Sequence, residues 1–238
     1  MSSRKGKRDA ARVVREQLAR ERRRRRTIWV SAAAVVVLVI AGVVGWVVWS
    51  NQRADTFTTP PGANAAGTGI VTGGGPVTVD VYEDFLCPVC KQFEQSTGAT
   101  LEQLVADNKA KVVYHPVAFL NRFSTTEYST RSSAASGCAA AGGKFREYAR
   151  ALFDRQPPEG SAGLADGELI DIGTEVGLDR GSFGGCVKDK TYQTWTAHLT
   201  EEASRSNVTG TPTVKVDGQP LDNPTPDALT AAVAAAGK

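Results

Sequence analysis

Residues 84–94 read DFLCPVCKQFE, with two cysteines three positions apart where an alternating apolar run gives way to a helix-like one. Upstream, Val77, Val79 and Val81 alternate with Thr78, Asp80 and Tyr82, the β-branched period-two pattern of a strand. Downstream, Phe93, Thr97, Leu101 and Leu104/Val105 recur on one helical face, with Gly98 a candidate kink. Such a pair admits three chemistries: a metal clip, a structural bridge or a redox centre. Zinc asks for four ligands, and His115 and His198 are too scattered to complete a set with one Cys-x-x-Cys, so no metal is expected. Both histidines are instead expected at the surface or a sheet edge. A bridge spanning two residues closes too short a loop to restrain the unfolded chain much. Redox chemistry fits best. A helix starting at the pair aims its unpaired N–H groups and partial positive charge at the first sulfur, and the thiolate is the attacking species. Pro88 suits the first turn, where no N–H is needed. Cys87 is thus the expected nucleophile, partly exposed, and Cys90 is placed to resolve a mixed disulfide.

The compartment follows from the N-terminus. The chain has 238 residues and a formal charge of +3, but residues 1–26 hold 12 Lys+Arg against Asp9, Glu16 and Glu21, leaving the remainder at −6. The basic stretch ends in Arg22–Arg26, and Ile28 to Val48 then runs 21 residues without a charge. At about 1.5 Å per residue this spans about 30 Å of hydrocarbon. Trp29, Trp46 and Trp49 stand near its ends, where indoles favour the headgroup region. A cleaved signal peptide has a shorter apolar core with a small-x-small site close behind, whereas Ala63-Asn64-Ala65 lies far downstream. A single transmembrane anchor over 27–49 is therefore expected, its N-terminus cytoplasmic and everything from Asn51 outside. The arginines are then a topology signal and a lipid contact, not a nucleic-acid site.

Residues 50–75, rich in Gly, Pro, Thr and Ala, read as a flexible tether of about 25–30 Å root-mean-square span. A domain over 76–238 follows, with a second strand at 111–120 and a helical block over about 122–207. In that block Ala134, Cys138, Ala141, Phe145, Tyr148 and Leu152 repeat helically, as do Leu169/Ile172/Val176 and Trp195/Leu199/Ala203. TGTPTVKVDGQPL returns to strand chemistry with Asp217-Gly218 as the turn, and TPDALTAAVAAAG closes as a helix. The class is α/β, a small sheet domain interrupted by one large helical insertion. An outside location is oxidising. Cys138 and Cys186, neither within a Cys-x-x-Cys, read as a structural staple, closing a loop of about 50 residues worth about 4 kcal/mol in the chain-entropy account.

YEDFLCPVCKQFE, the helical insertion and the later VTGTPTV together resemble the DsbA-like thiol–disulfide oxidoreductases of the thioredoxin superfamily, in membrane-anchored form. The resemblance covers about residues 76–236. It implies a thioredoxin-like fold with Cys87 attacking and Cys90 resolving, and it matches Pro212 to the family's cis-proline, with Thr211 before it. It implies no cofactor beyond the cysteine pair, reduced exported proteins as substrates, and a quinone-linked membrane reoxidase of DsbB or VKOR type. Many relatives carry a buried acid six residues before the first cysteine; here that position is Val81, and Glu83 or Asp84 would have to substitute, although such residues are more often solvated. The expected function is donation of disulfides to exported proteins. A reductase or isomerase is the alternative, and a non-redox tethered chaperone is disfavoured by retention of both Cys87 and Cys90.

Overall fold

A computed structural model describes residues 38–45 and 57–237, which fall into two units divided after Asp55. In the first unit residues 38–45 are helical with exposed side chains, and no helix among the described residues is long and apolar enough to cross a membrane. The basic tail at 1–26 and most of the expected anchor at 27–49 lie outside the described residues.

The second unit is built on a five-stranded sheet. Its strands are β1 (Ile70–Thr72), β2 (Val77–Glu83), β3 (Ala110–Pro116), β4 (Thr213–Val216) and β5 (Gln219–Pro220). Their spatial order is β1-β3-β2-β4-β5. The central strand, β2, runs parallel to β3, with Val77 opposite Ala110 and Glu83 opposite Pro116, and antiparallel to β4, with Val81 opposite Val214. Val77, Val79 and Val81 are buried, as their alternation requires. Parallel neighbours need a crossover, and the helix α1 (Pro88–Ala106) supplies it. It runs unbroken through Gly98, where a Cβ would stand 3.0 Å from Glu94 Oε2. At the other end of the sheet, Asp217 and Gly218 both take positive φ in the β4–β5 turn. The closing helix α7 (Pro226–Ala236) is capped by Thr225, whose hydroxyl accepts from Ala228 N at 3.3 Å.

Five helices form the insertion: α2 (Tyr128–Ala141), α3 (Phe145–Asp154), α4 (Asp166–Glu175), α5 (Arg180–Lys188) and α6 (Gln193–Arg205). The repeat from Ala134 to Leu152 is broken at Gly142–Lys144 into α2 and α3, and α5 has no strong periodicity to announce it. Helix α2 contacts the other four, and its sequence SSAASGCAAA explains how: small side chains let helices approach closely. Its buried serines are satisfied. Ser132 Oγ donates to Tyr128 O, Ser136 Oγ to Ser133 O, and Ser133 Oγ to Pro116 O at the end of β3. Cys138 on α2 and Cys186 on α5 form a disulfide across 48 positions with Cα atoms 5.9 Å apart.

Two expectations are corrected here. The segment from Phe57 to Gly75 is not tether: β1 pairs antiparallel with β3, and the preceding strap is clamped carbonyl by carbonyl. His198 Nε2 lies 3.3 Å from Ala66 O, Trp195 Nε1 donates to Gly67 O at 2.7 Å, and His115 Nδ1 lies 2.6 Å from Thr68 O. Nor is His115 a surface residue. It is buried, stacked 4.1 Å from Tyr82, with Nε2 3.0 Å from Asp80 Oδ1. Sequence periodicity carries no sign of such a strap, because its partners lie on β3 and α6.

Replacing both Cys138 and Cys186 by serine is expected to lower the unfolding free energy by about 4 kcal/mol at most, the entropy of freeing that loop. Urea unfolding of wild-type and variant protein measures this; identical midpoints would mean that the bridge restrains nothing.

Candidate active site

Cys87 is the N-cap of α1 and Pro88 its first helical residue. The approach is set by Asp84. Its carbonyl accepts from Cys87 N at 2.9 Å, and its Oδ1 accepts from Leu86 N at 2.9 Å and from Ser129 Oγ of α2 at 2.7 Å. Its Oδ2 accepts from Leu120 N at 2.9 Å. One carboxylate thereby fixes the turn entering the cysteines to the insertion and to the loop after β3. Burial pushes Asp84 up to about 6, against the three hydrogen bonds that hold it down. The expectation that such acids are solvated fails for Glu83 as well, since both are buried.

Both cysteines are free thiols. Cys87 is only 6% exposed, less than strand-to-helix geometry suggests, yet it lines a groove of about 600 Å³. Val89, Phe119 and Thr211 also line that groove, and Val89 is 55% exposed. The Thr211–Pro212 peptide is cis, and Cys87 Sγ lies 3.4 Å from Thr211 O. The Cys87 thiol is lowered to about 6, chiefly by the hydrogen bond from the Cys90 thiol; burial opposes this, while Thr211 and the N–H groups of Cys90 and Val89 assist. The helix N-terminus therefore contributes, but Cys90 contributes more. No acidic residue occupies the first turn of α1 to oppose the thiolate. Cys87 is therefore mostly thiolate at pH 7. Burial drives Cys90 the other way, well above its ordinary range, with Cys87 and Glu83 adding to the rise.

Beneath the pair, burial raises Glu83 well above the usual carboxylate range, and the neighbouring Glu94 adds to it while Arg146 opposes. Glu83 Oε1 has no hydrogen-bond partner among the described residues. Glu94 accepts a two-pronged bond from Arg146, at 3.2 and 2.9 Å. Glu94 on α1 and Arg146 on α3 went unread in the sequence because their partners come from distant elements. No cluster of three or more His, Cys, Asp or Glu able to hold a metal occurs among the described residues.

A low-pKa thiol at a helix N-terminus, a buried high-pKa thiol one turn on, and a cis-proline loop against the first sulfur define a dithiol–disulfide exchange site. The chain belongs to the thioredoxin family, whose model, described as Thioredoxin, matches residues 66–235. Reduced DsbA from Mycobacterium tuberculosis is 32% identical, with a TM-score of 0.60 over 75% of this chain and 87% of that one. Reduced DsbG from the same organism, a disulfide bond oxidoreductase, is 33% identical with a TM-score of 0.60, covering 75% and 82%. Serine/threonine-protein kinase PknE of M. tuberculosis is 35% identical over 150 residues, which is 58% of this chain and 26% of the kinase. The chain spans about a quarter of the length of the curated relatives it matches. Its folded unit is a DsbA-like thiol–disulfide oxidoreductase domain.

Cys90→Ala removes the largest stabilisation of the Cys87 thiolate, so the Cys87 midpoint should rise by about one unit, the size of one charge-assisted hydrogen bond. Thiolate absorbance followed across roughly pH 4–9, a range that brackets both midpoints, measures it. A midpoint left in place would return the main role to the helix terminus.

Proposed function

We propose that the protein is a membrane-anchored, extracytoplasmic disulfide donor acting through the Cys87-Pro88-Val89-Cys90 pair. The observation that carries this reading is the opposed tuning of the two thiols, Cys87 lowered and Cys90 raised, beside an open groove. In the oxidised protein a substrate thiolate attacks Cys87 Sγ. The bond to Cys90 breaks, its electron pair goes to Cys90, and Cys90 takes up a proton. A second substrate thiolate then attacks the substrate sulfur of the mixed disulfide and expels Cys87 as a thiolate. Two electrons have passed from the substrate dithiol to the protein pair. A stabilised Cys87 thiolate favours the reduced protein and hence raises its reduction potential, which makes the disulfide a better oxidant.

Glu83 is the proton donor for Cys90 in this scheme, because burial lets it retain a proton and its charge, when present, adds to the rise at Cys90. Thr211 presents its carbonyl beside the reacting sulfur, where an extended substrate chain would pair. Substrates are reduced, newly exported proteins. Reoxidation needs a two-electron acceptor, for which the resemblance points to a quinone-linked membrane protein of DsbB or VKOR type, and no cofactor beyond the pair is required. The uncharged run Ile28–Val48 behind five arginines supports the anchor, the cytoplasmic N-terminus and lipid, not nucleic acid, as the tail's partner.

The oxidised protein should introduce disulfides into a reduced test protein, and Cys87→Ala should abolish this. In Cys90→Ala, Cys87 attacks a disulfide already present in a substrate, expels the other substrate sulfur as a thiolate, and should accumulate as the mixed disulfide because no resolving thiol remains. A reduction potential as low as that of thioredoxin, about −270 mV, would favour a reductase instead.

Protease added to intact spheroplasts should destroy the domain and spare a short N-terminal fragment. A soluble form beginning near Ala66 would mean that the apolar run is a cleaved leader.

A further inference from the structure

Gln156 lies 69 positions from Cys87, just past the end of α3, and no motif marks it. Its side-chain Nε2 donates to two backbone carbonyls of the redox turn, Phe85 O and Cys87 O, each at 2.9 Å. Its own N–H donates to Phe153 O at 3.2 Å, which fastens it to the helix terminus, and Pro157 and Pro158 stiffen the chain that follows. Two further contacts bring the same helix end against the same turn. The Phe153 ring lies 5.1 Å from that of Phe85, and Lys91 Nζ donates to Asp154 O at 3.2 Å.

We propose that Gln156 is a positioning residue for the cysteine pair, holding the Cys87 carbonyl so that the insertion itself sets the orientation and acidity of the attacking sulfur. This rests on the thiol–disulfide reading above. The Cys87 carbonyl is the first acceptor of α1, taking Lys91 N at 3.2 Å, and it belongs to the residue that bears the thiolate. Lys91 N alone compensates that carbonyl only in part, and the negative charge left near the sulfur disfavours its ionisation. The Gln156 N–H donated to Cys87 O offsets that charge, and the one donated to Phe85 O holds the preceding peptide. They also prevent the 85–87 peptides from rotating, which would swing Sγ away from Thr211. A glutamine suits the task because one carboxamide nitrogen carries two protons and no competing charge.

Three variants test the idea on the full-length protein: Gln156→Met keeps length without donors, Gln156→Glu replaces donors with acceptors, and Gln156→Arg keeps donors and adds charge. The Cys87 thiolate midpoint should rise by about half a unit in Gln156→Met, with alkylation at pH 6 slowed about twofold, and should rise further in Gln156→Glu. In Gln156→Arg it should return to the wild-type value or below, a reversal that lost packing alone would not produce. Equal midpoints in all folded variants, or the same direction of shift in Gln156→Arg and Gln156→Glu, would overturn the proposal. Should the variants fail to fold, the wild-type protein decides: the Gln156 side-chain amide protons should titrate in NMR spectra with the Cys87 midpoint, and their indifference to it would overturn the proposal. Thiolate midpoints are read without turnover, so a wild-type protein that oxidises nothing would sink the proposed function and leave this inference to be judged on its own.

Discussion

The carboxylate of Asp84 is the constraint around which the site is arranged. It is fully buried, and it accepts from the turn that enters the cysteines, from α2 and from the loop leaving β3. A buried charge is tolerated only when its lone pairs are occupied, and here three donors occupy them. The Cys87 thiolate in turn adds to the rise in that carboxylate's proton affinity. At Cys87 itself burial opposes ionisation, and the Cys90 thiol, Thr211 and the first-turn N–H groups still bring it down to about 6. Rigidity and reactivity thus come from one cluster: Asp84 orders the turn, and the helix start and Cys90 ionise the thiol that the turn carries.

The insertion takes part in the site as well as covering the sheet. Ser129 of α2 reaches Asp84, Arg146 of α3 holds Glu94, and Gln156 beyond α3 reaches the Cys87 carbonyl. Each contact joins a polar group of the insertion to a buried polar group of the α/β unit, so relative motion of the two would strand unpaired donors and acceptors. The small residues of α2 make this possible by allowing four helices to close around it, with the Cys138–Cys186 bridge tying α2 to α5. On the far side of β3, the 57–69 strap extends the sheet through β1 and buries Trp195 beneath Gly67.

The sequence by itself determined the strand, the redox pair and the crossover helix, because their signals are local: period-two valines, a fixed cysteine spacing, and an apolar face at helical intervals. It also determined the closing hairpin and helix, whose Asp-Gly turn and Thr-Pro start depend on backbone preferences of adjacent residues. What needs partners far along the chain was decided only by the tertiary structure. Glu83 and Asp84 look like solvated acids until β3, α1 and α2 bury them, and His115 looks like an edge residue until the strap covers it. Residues 57–75, rich in glycine and threonine, carry no periodicity, yet three side chains from β3 and α6 capture their carbonyls in turn. Gln156 and Cys87 meet although 69 positions separate them, because α3 ends against the turn that α1 begins. Local chemistry named the reacting atoms; which of them ionises depends on the groups that folding places around it.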